Sequence, residues 1–122
     1  MTRVLVADDD PSVRRVLERA LEREGYEVAT ASNGAEALEA VAAAPPDLVV
    51  TDINMPDVDG IELLINLIER GGIKVIAISG GGLFPKDELL ADARLLGAVD
   101  IIAKPFEVDD LLARVAAALS GD

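Results

Sequence analysis

The segment Val4-Leu5-Val6-Ala7-Asp8-Asp9-Asp10-Pro11 passes from four consecutive apolar residues into three acids and a proline. A short apolar run without polar alternation reads as a strand covered on both faces. Asp10 before Pro11 reads as a helix N-cap followed by a first-turn proline. Beyond it, Val13, Val16, Leu17, Ala20 and Leu21 recur on one stripe, while Arg14, Arg15, Glu18, Glu22 and Arg23 lie largely off it. Gly25 supplies a stop. The segment thus joins a buried strand to an amphipathic helix through a turn made of carboxylates.

The same alternation continues along the chain. Strands are predicted at Val4 to Ala7, Tyr26 to Ala29, Leu48 to Thr51, Lys74 to Ile78 and Val99 to Ala103. The second helix is predicted from Asn33 or Gly34 to Ala44, ending at Pro45-Pro46, and the third from Gly60 to Arg70, ending at Gly71-Gly72. A fourth opens near Pro85, and the last carries Val108, Leu111, Leu112, Val115 and Leu119 at helical spacing. Strands alternating with helices predict an α/β fold, (βα)5, with a doubly wound parallel sheet. Right-handed crossovers leave few topologies, and the common one at this size has strand order 2-1-3-4-5. One domain spanning residues 1–122, with no output domain, is the expected organisation.

Composition narrows the chemistry. The chain has 122 residues, 51% of them hydrophobic, and a net charge of −12, so its field repels phosphate backbones and anionic membrane surfaces. Direct nucleic-acid binding is not expected. With no Cys, disulfides, thiolate zinc sites and cysteine nucleophiles are excluded, and with no His, so are Ser-His-Asp catalysis and histidine metal ligands. No stretch reaches the roughly 18 apolar residues of a membrane span, and the N-terminus does not resemble a signal peptide. A soluble, cytoplasmic protein is the expectation.

In an open parallel sheet, ligands bind beyond the carboxyl ends of the strands where the strand order reverses, here between strands 1 and 3. Asp8 and Asp9 end the first strand and Asp52 ends the third. Like charges crowded at one crevice edge either raise a pKa or recruit a cation, and hard oxygen ligands in a partly open site suit Mg²⁺. Ser79 ends strand 4 before Gly80-Gly81-Gly82, and Lys104 follows strand 5 before Pro105-Phe106, at the same sheet edge. A lysine can neutralise the acids, and a hydroxyl with loop amides can hold phosphate oxygens. Each feature has a plainer reading: a solvated capping turn for the acids, a turn residue for Ser79, a structural ion pair for Lys104. Together they form a constellation that core packing does not account for. Asp52, standing alone, is the candidate nucleophile toward phosphorus, with Asp8 and Asp9 orienting the metal. Neither G-x-x-x-x-G-K-[ST] nor G-x-G-x-x-G occurs, so no nucleotide fingerprint is present.

These residues resemble a known family. VLVADDDPSVRR at Val4 to Arg15, DLVVTDINMPDVDG at Asp47 to Gly60, VIAISG at Val75 to Gly80 and AKPF at Ala103 to Phe106 are similar, in order, to the response-regulator receiver domain of two-component signalling. The resemblance spans almost the whole chain and implies the CheY-like, flavodoxin-like 2-1-3-4-5 sheet. It implies that Asp52 is the phosphoacceptor and that Asp8, Asp9, Asp52 and the backbone carbonyl of Asn54 are the Mg²⁺ ligands. Ser79 takes the hydroxyl switch position and Lys104 that of the phosphate-contacting lysine. It further implies a histidine kinase or histidine phosphotransfer domain as donor, a downstream protein target, and a switch that phosphorylates and dephosphorylates itself rather than turning over a metabolite.

The sequence departs from the family pattern at two places. The switch position three residues before the lysine, often Tyr or Phe, is Ile101, and the loop SGGGLFPKDE after strand 4 is glycine-rich, with Phe84 either packing or docking. Two other functions compete. An aspartyl-nucleophile Mg²⁺ phosphohydrolase needs an acid two residues after Asp52, where Asn54 stands. A receiver that works without phosphorylation is expected to have lost an acid, the hydroxyl or the lysine, and none is lost. Helix 3 carries Ile61, Leu63, Leu64, Ile65, Leu67 and Ile68, more apolar positions than one stripe requires, so either its buried face is wide or some of it, Leu63 included, serves a weak dimer or a partner contact.

Overall fold

The computed structural model describes residues 2–53, 60–79 and 97–121. In chain order these form β1 (Arg3–Ala7), α1 (Pro11–Arg23), β2 (Glu27–Ala31), α2 (Gly34–Ala43), β3 (Leu48–Asp52), α3 (Gly60–Arg70), β4 (Lys74–Ser79), β5 (Asp100–Ala103) and a last helix (Val108–Ser120). The strands make one parallel sheet in the order β2-β1-β3-β4-β5, the expected topology. The fourth predicted helix, from Pro85, lies outside the described residues, as do Phe84 and Gly80-Gly81-Gly82.

The continuous apolar strands are explained by two hydrophobic cores, one on each face. Leu5, Ala7, Val49, Val75 and Ala77 pack toward Ala37, Val41, Leu63, Leu64 and Leu67 of α2 and α3. Their neighbours Val4, Val6, Leu48, Val50, Ile76, Ile78 and Ile102 turn to the other face, against Leu17 and Leu21 of α1 and Leu111 and Val115 of the last helix. Alternate residues thus serve alternate layers, which is why no polar position interrupts Val4 to Ala7 of β1 or the core of β3 and β4.

Helix ends follow their local chemistry. Asp10 caps α1, its Oδ1 accepting from the N–H of Ser12 at 2.8 Å and of Val13 at 3.5 Å, with Pro11 in the first turn. At the other end the N–H of Gly25 donates to the Glu22 carbonyl and that of Tyr26 to the Leu21 carbonyl, a paired closure that needs the positive φ of Gly25 (93°).

That closure corrects the second strand. Tyr26 is spent on ending α1, so β2 begins at Glu27 rather than Tyr26, and it continues past Ala29 to Ala31 because register with β1 outlasts the apolar run. Val99 likewise precedes β5 and is exposed. Val16, on the apolar stripe of α1, is 52% exposed; Leu17 and Leu21 alone of that stripe are fully buried. On α3 the wide apolar face is largely core: Leu63, Leu64 and Leu67 are fully buried and Ile68 packs beside them, leaving Ile65 exposed. Leu63 is therefore not available to a dimer contact. The side chain of Ile61 lies outside the described part of the structure.

Candidate functional site

Register brings the strand ends level. Ala7 is opposite Thr51, Asp52 opposite Ile78, and Ser79 opposite Ala103. Asp8, one residue past β1, therefore lies beside Asp52, and Lys104, one past β5, comes out at the same edge. Asp8 and Asp52 are buried, at 1% and 4% exposure, whereas Asp9 is exposed. One carboxylate oxygen of each of the three lies within 4.8 Å of the other two. Asp10, the third acid of the run, turns away to cap α1.

Lys104 joins the two buried acids. Its Nζ donates to Asp52 Oδ2 at 2.9 Å and to Asp8 Oδ2 at 3.2 Å, with a quarter of the lysine side chain exposed. Asp8 Oδ1 accepts from the N–H of Asp10 at 2.9 Å. Burial pushes the Asp8 carboxyl above its ordinary range; the Asp10 N–H and Lys104 pull it down, and the charge of Asp52 pushes it up further. Burial pulls the Lys104 ammonium down, but the hydrogen bond to Asp52 and the charges of Asp52 and Asp8 outweigh it, so that its pKa is raised. The ammonium thus stays charged, and the Asp8 carboxyl bears the cost of burial and of the neighbouring charge. The Lys104–Pro105 peptide bond is cis.

Of the residues singled out from sequence, the fold assembles Asp8, Asp9, Asp52 and Lys104. Ser79 closes β4 at the same edge, but its hydroxyl lies outside the described part of the structure, and Asn54 lies outside the described residues altogether. Ile101 is partly buried in β5, opposite Ala77, and packs against the core shared by α2 and α3. Arg14, by sequence one of the surface charges of α1, donates from Nη1 to the backbone carbonyl of Asp8 at 2.8 Å. The signal lay in its position: side chains lean toward a helix N-terminus, so a long one in the first turn reaches back over the capping turn.

Three hard carboxylates, two buried and one open to water, can hold a divalent cation. Among the described residues no helix is long and apolar enough to cross a membrane.

Comparison with known proteins gives the family. The chain is 43% identical over 121 residues to the transcriptional regulatory protein KdpE of Mycobacterium tuberculosis, a match covering 98% of this chain and 51% of that protein. It is 40% identical over 117 residues to the DNA-binding transcriptional regulator NtrC of Escherichia coli, covering 96% of this chain and 24% of that one. The chain therefore spans about half the length of the first relative and about a quarter of the second. Among solved structures, the receiver domain of NtrX from Brucella abortus superposes with a TM-score of 0.89 at 34% identity, covering 98% of this chain and 99% of that one. The chemotaxis protein CheY4 of Vibrio cholerae does so at 0.85 and 29% identity, covering 98% and 99%. Residues 4–116 match the response regulator receiver domain, and the chain belongs to that family.

Proposed function

We propose that this receiver domain takes a phosphoryl group from a phosphohistidine donor onto Asp52, with Mg²⁺ bound, and in that state changes which protein it binds. The observation that carries the reading is the Lys104 ammonium bridging Asp52 and Asp8 at the strand ends where the sheet order reverses. In the transfer an Asp52 carboxylate oxygen attacks phosphorus, the P–N bond to the donor imidazole breaks, and its electron pair leaves with the imidazole nitrogen. Asp52 is buried beside a cation that already contacts its Oδ2, so the group arriving there meets a fixed positive charge. Lys104 neutralises the phosphoryl oxygens, and the Ser79 hydroxyl binds one of them.

The three carboxylates suit Mg²⁺; Asp8, Asp9 and Asp52 would be its ligands, with the Asn54 carbonyl, which the family resemblance adds, and water completing the shell. Bound there, the ion neutralises charge on the transferring oxygens. The domain is a switch rather than a turnover enzyme, and it hydrolyses its own acyl phosphate slowly. With no His in the chain, the phosphoryl group comes from outside, from a histidine kinase or a histidine phosphotransfer domain. Ile101, in place of an aromatic, passes the change to the surface of β5. The matched regulators KdpE and NtrC are named for transcription, and a protein partner is the reader of this domain's state.

Intact mass after incubation with Mg²⁺ and acetyl phosphate tests this. The expected result is a labile phosphoryl adduct that is absent with EDTA and absent in Asp52→Asn. No adduct on a protein shown separately to bind Mg²⁺ would overturn it in favour of a receiver that works unphosphorylated.

A further inference from the structure

Besides its ion pair with Lys104, Asp8 is held at three points. Its N–H donates to the Ala31 carbonyl at 3.1 Å, its Oδ1 accepts from the Asp10 N–H at 2.9 Å, and its carbonyl accepts from Arg14 Nη1 at 2.8 Å. The Asp8 carbonyl and the Asp9 nitrogen belong to one planar peptide unit, so fixing the oxygen fixes the plane and with it the direction in which Asp9 leaves the strand. Among the described residues no other hydrogen bond fixes Asp9. It is exposed, and its carboxylate makes no hydrogen bond among the described residues, yet it lies within 4.8 Å of the oxygens of Asp8 and Asp52.

We propose that Arg14 is a positioning residue for the carboxylate cluster, holding Asp9 within reach of a divalent cation by locking the Asp8-Asp9 peptide. A guanidinium is well suited to this, because its donors are preorganised in a plane and a charge-assisted bond to a carbonyl in a partly buried turn is stronger than a neutral one. The inference rests on the reading of the cluster as a Mg²⁺ site.

The sign of the effect separates positioning from simple electrostatics. A cation beside a cation site repels the metal, so through-space charge alone predicts that removing Arg14 tightens binding. Positioning predicts the reverse, because loss of a supporting hydrogen bond loosens a ligand.

Calorimetric Mg²⁺ titration of the whole chain tests this, comparing wild type, Arg14→Met, Arg14→Lys and Arg15→Met, with thermal midpoints in EDTA recorded beside it. Arg14→Met is expected to bind roughly tenfold more weakly. Arg14→Lys, which keeps the charge and can donate one bond, is expected to recover part of that loss. Arg15→Met, one residue along and exposed, reports the charge effect alone and is expected to bind as well as wild type or slightly tighter. Wild type that binds Mg²⁺ while Arg14→Met binds equally or more tightly overturns the positioning role alone; wild type that binds none overturns the metal site and this role with it. If Arg14→Met does not fold, Arg14→Lys decides, and affinity equal to wild type would overturn the role.

Discussion

Lys104 is the residue on which the metal-free site depends. Replaced by Met, it would leave Asp8 and Asp52 buried side by side without the ammonium that bridges them. Removing one partner of a buried ion pair costs about 3–5 kcal/mol; with a quarter of the lysine side chain in water, about 2 kcal/mol is expected for Lys104→Met. Urea unfolding in EDTA measures it, and an unchanged midpoint would mean that water already screens the two acids. Asp8 itself gives an unusual pH dependence. Burial first, and the charge of Asp52 with it, raise its folded-state pKa, so the folded protein favours the protonated carboxyl. That contribution to stability is complete below its ordinary value of 3.8 and is lost as pH rises through the raised value. Metal-free wild type should therefore lose stability relative to Asp8→Asn as pH climbs out of that range, and the opposite slope would show that Lys104 outweighs burial. The three acids and the lysine were legible because strand ends can be read from hydrophobic runs. The grip of Arg14 on a backbone carbonyl was not, because a contact to main chain leaves no partner residue in the sequence.

At the scale of elements, caps proved more legible than strand limits. The sequence allows α2 to start at Asn33 or Gly34, and Asn33 is the N-cap, its Oδ1 accepting from the Glu36 N–H at 2.8 Å. Glu36 in turn accepts from the N–H and hydroxyl of Ser32, at 2.8 and 2.6 Å, so the loop before the helix is closed from both sides. Asn33→Ala should cost about 1 kcal/mol of stability, measured by chemical unfolding. The hydrogen bonds from Ser32 lower the Glu36 pKa, so their contribution is present above its ordinary value of 4.5 and lost as pH falls through the lowered one. Glu36→Gln should accordingly differ from wild type at neutral pH and converge with it in acid; a difference independent of pH would assign the effect to packing. Strand limits were less legible because two signals compete at each end. Tyr26 is apolar enough for a strand but closes α1, and Thr30, exposed at the sheet edge, extends β2 by backbone pairing that side-chain character does not announce.

For the molecule as a whole, topology was the most legible property, since unbroken apolar strands require helices on both faces and short right-handed crossovers then leave one common order. Burial within helices was not, and Val16 shows why: a five-residue stripe can be wider than the strip of sheet beneath it. Net charge also acts at this scale. With a charge of −12, any cation stabilises the fold by screening, so a rise in melting temperature with Mg²⁺ means little until the site is separated from the field. Asp9 makes that separation possible. It is exposed and outside the Lys104 pairings, so Asp9→Asn should leave the metal-free protein as stable as wild type or slightly more so, one repulsive charge having gone. A ligand at a hundred times its dissociation constant stabilises by about 2.7 kcal/mol, roughly 10 °C in a domain of this size. Wild type should show a rise of that order in saturating Mg²⁺ over KCl of equal ionic strength, and Asp9→Asn should lose most of it. Equal shifts in the two proteins would place the stabilising ions in the diffuse atmosphere around the chain, and would remove Asp9 from the metal's ligands.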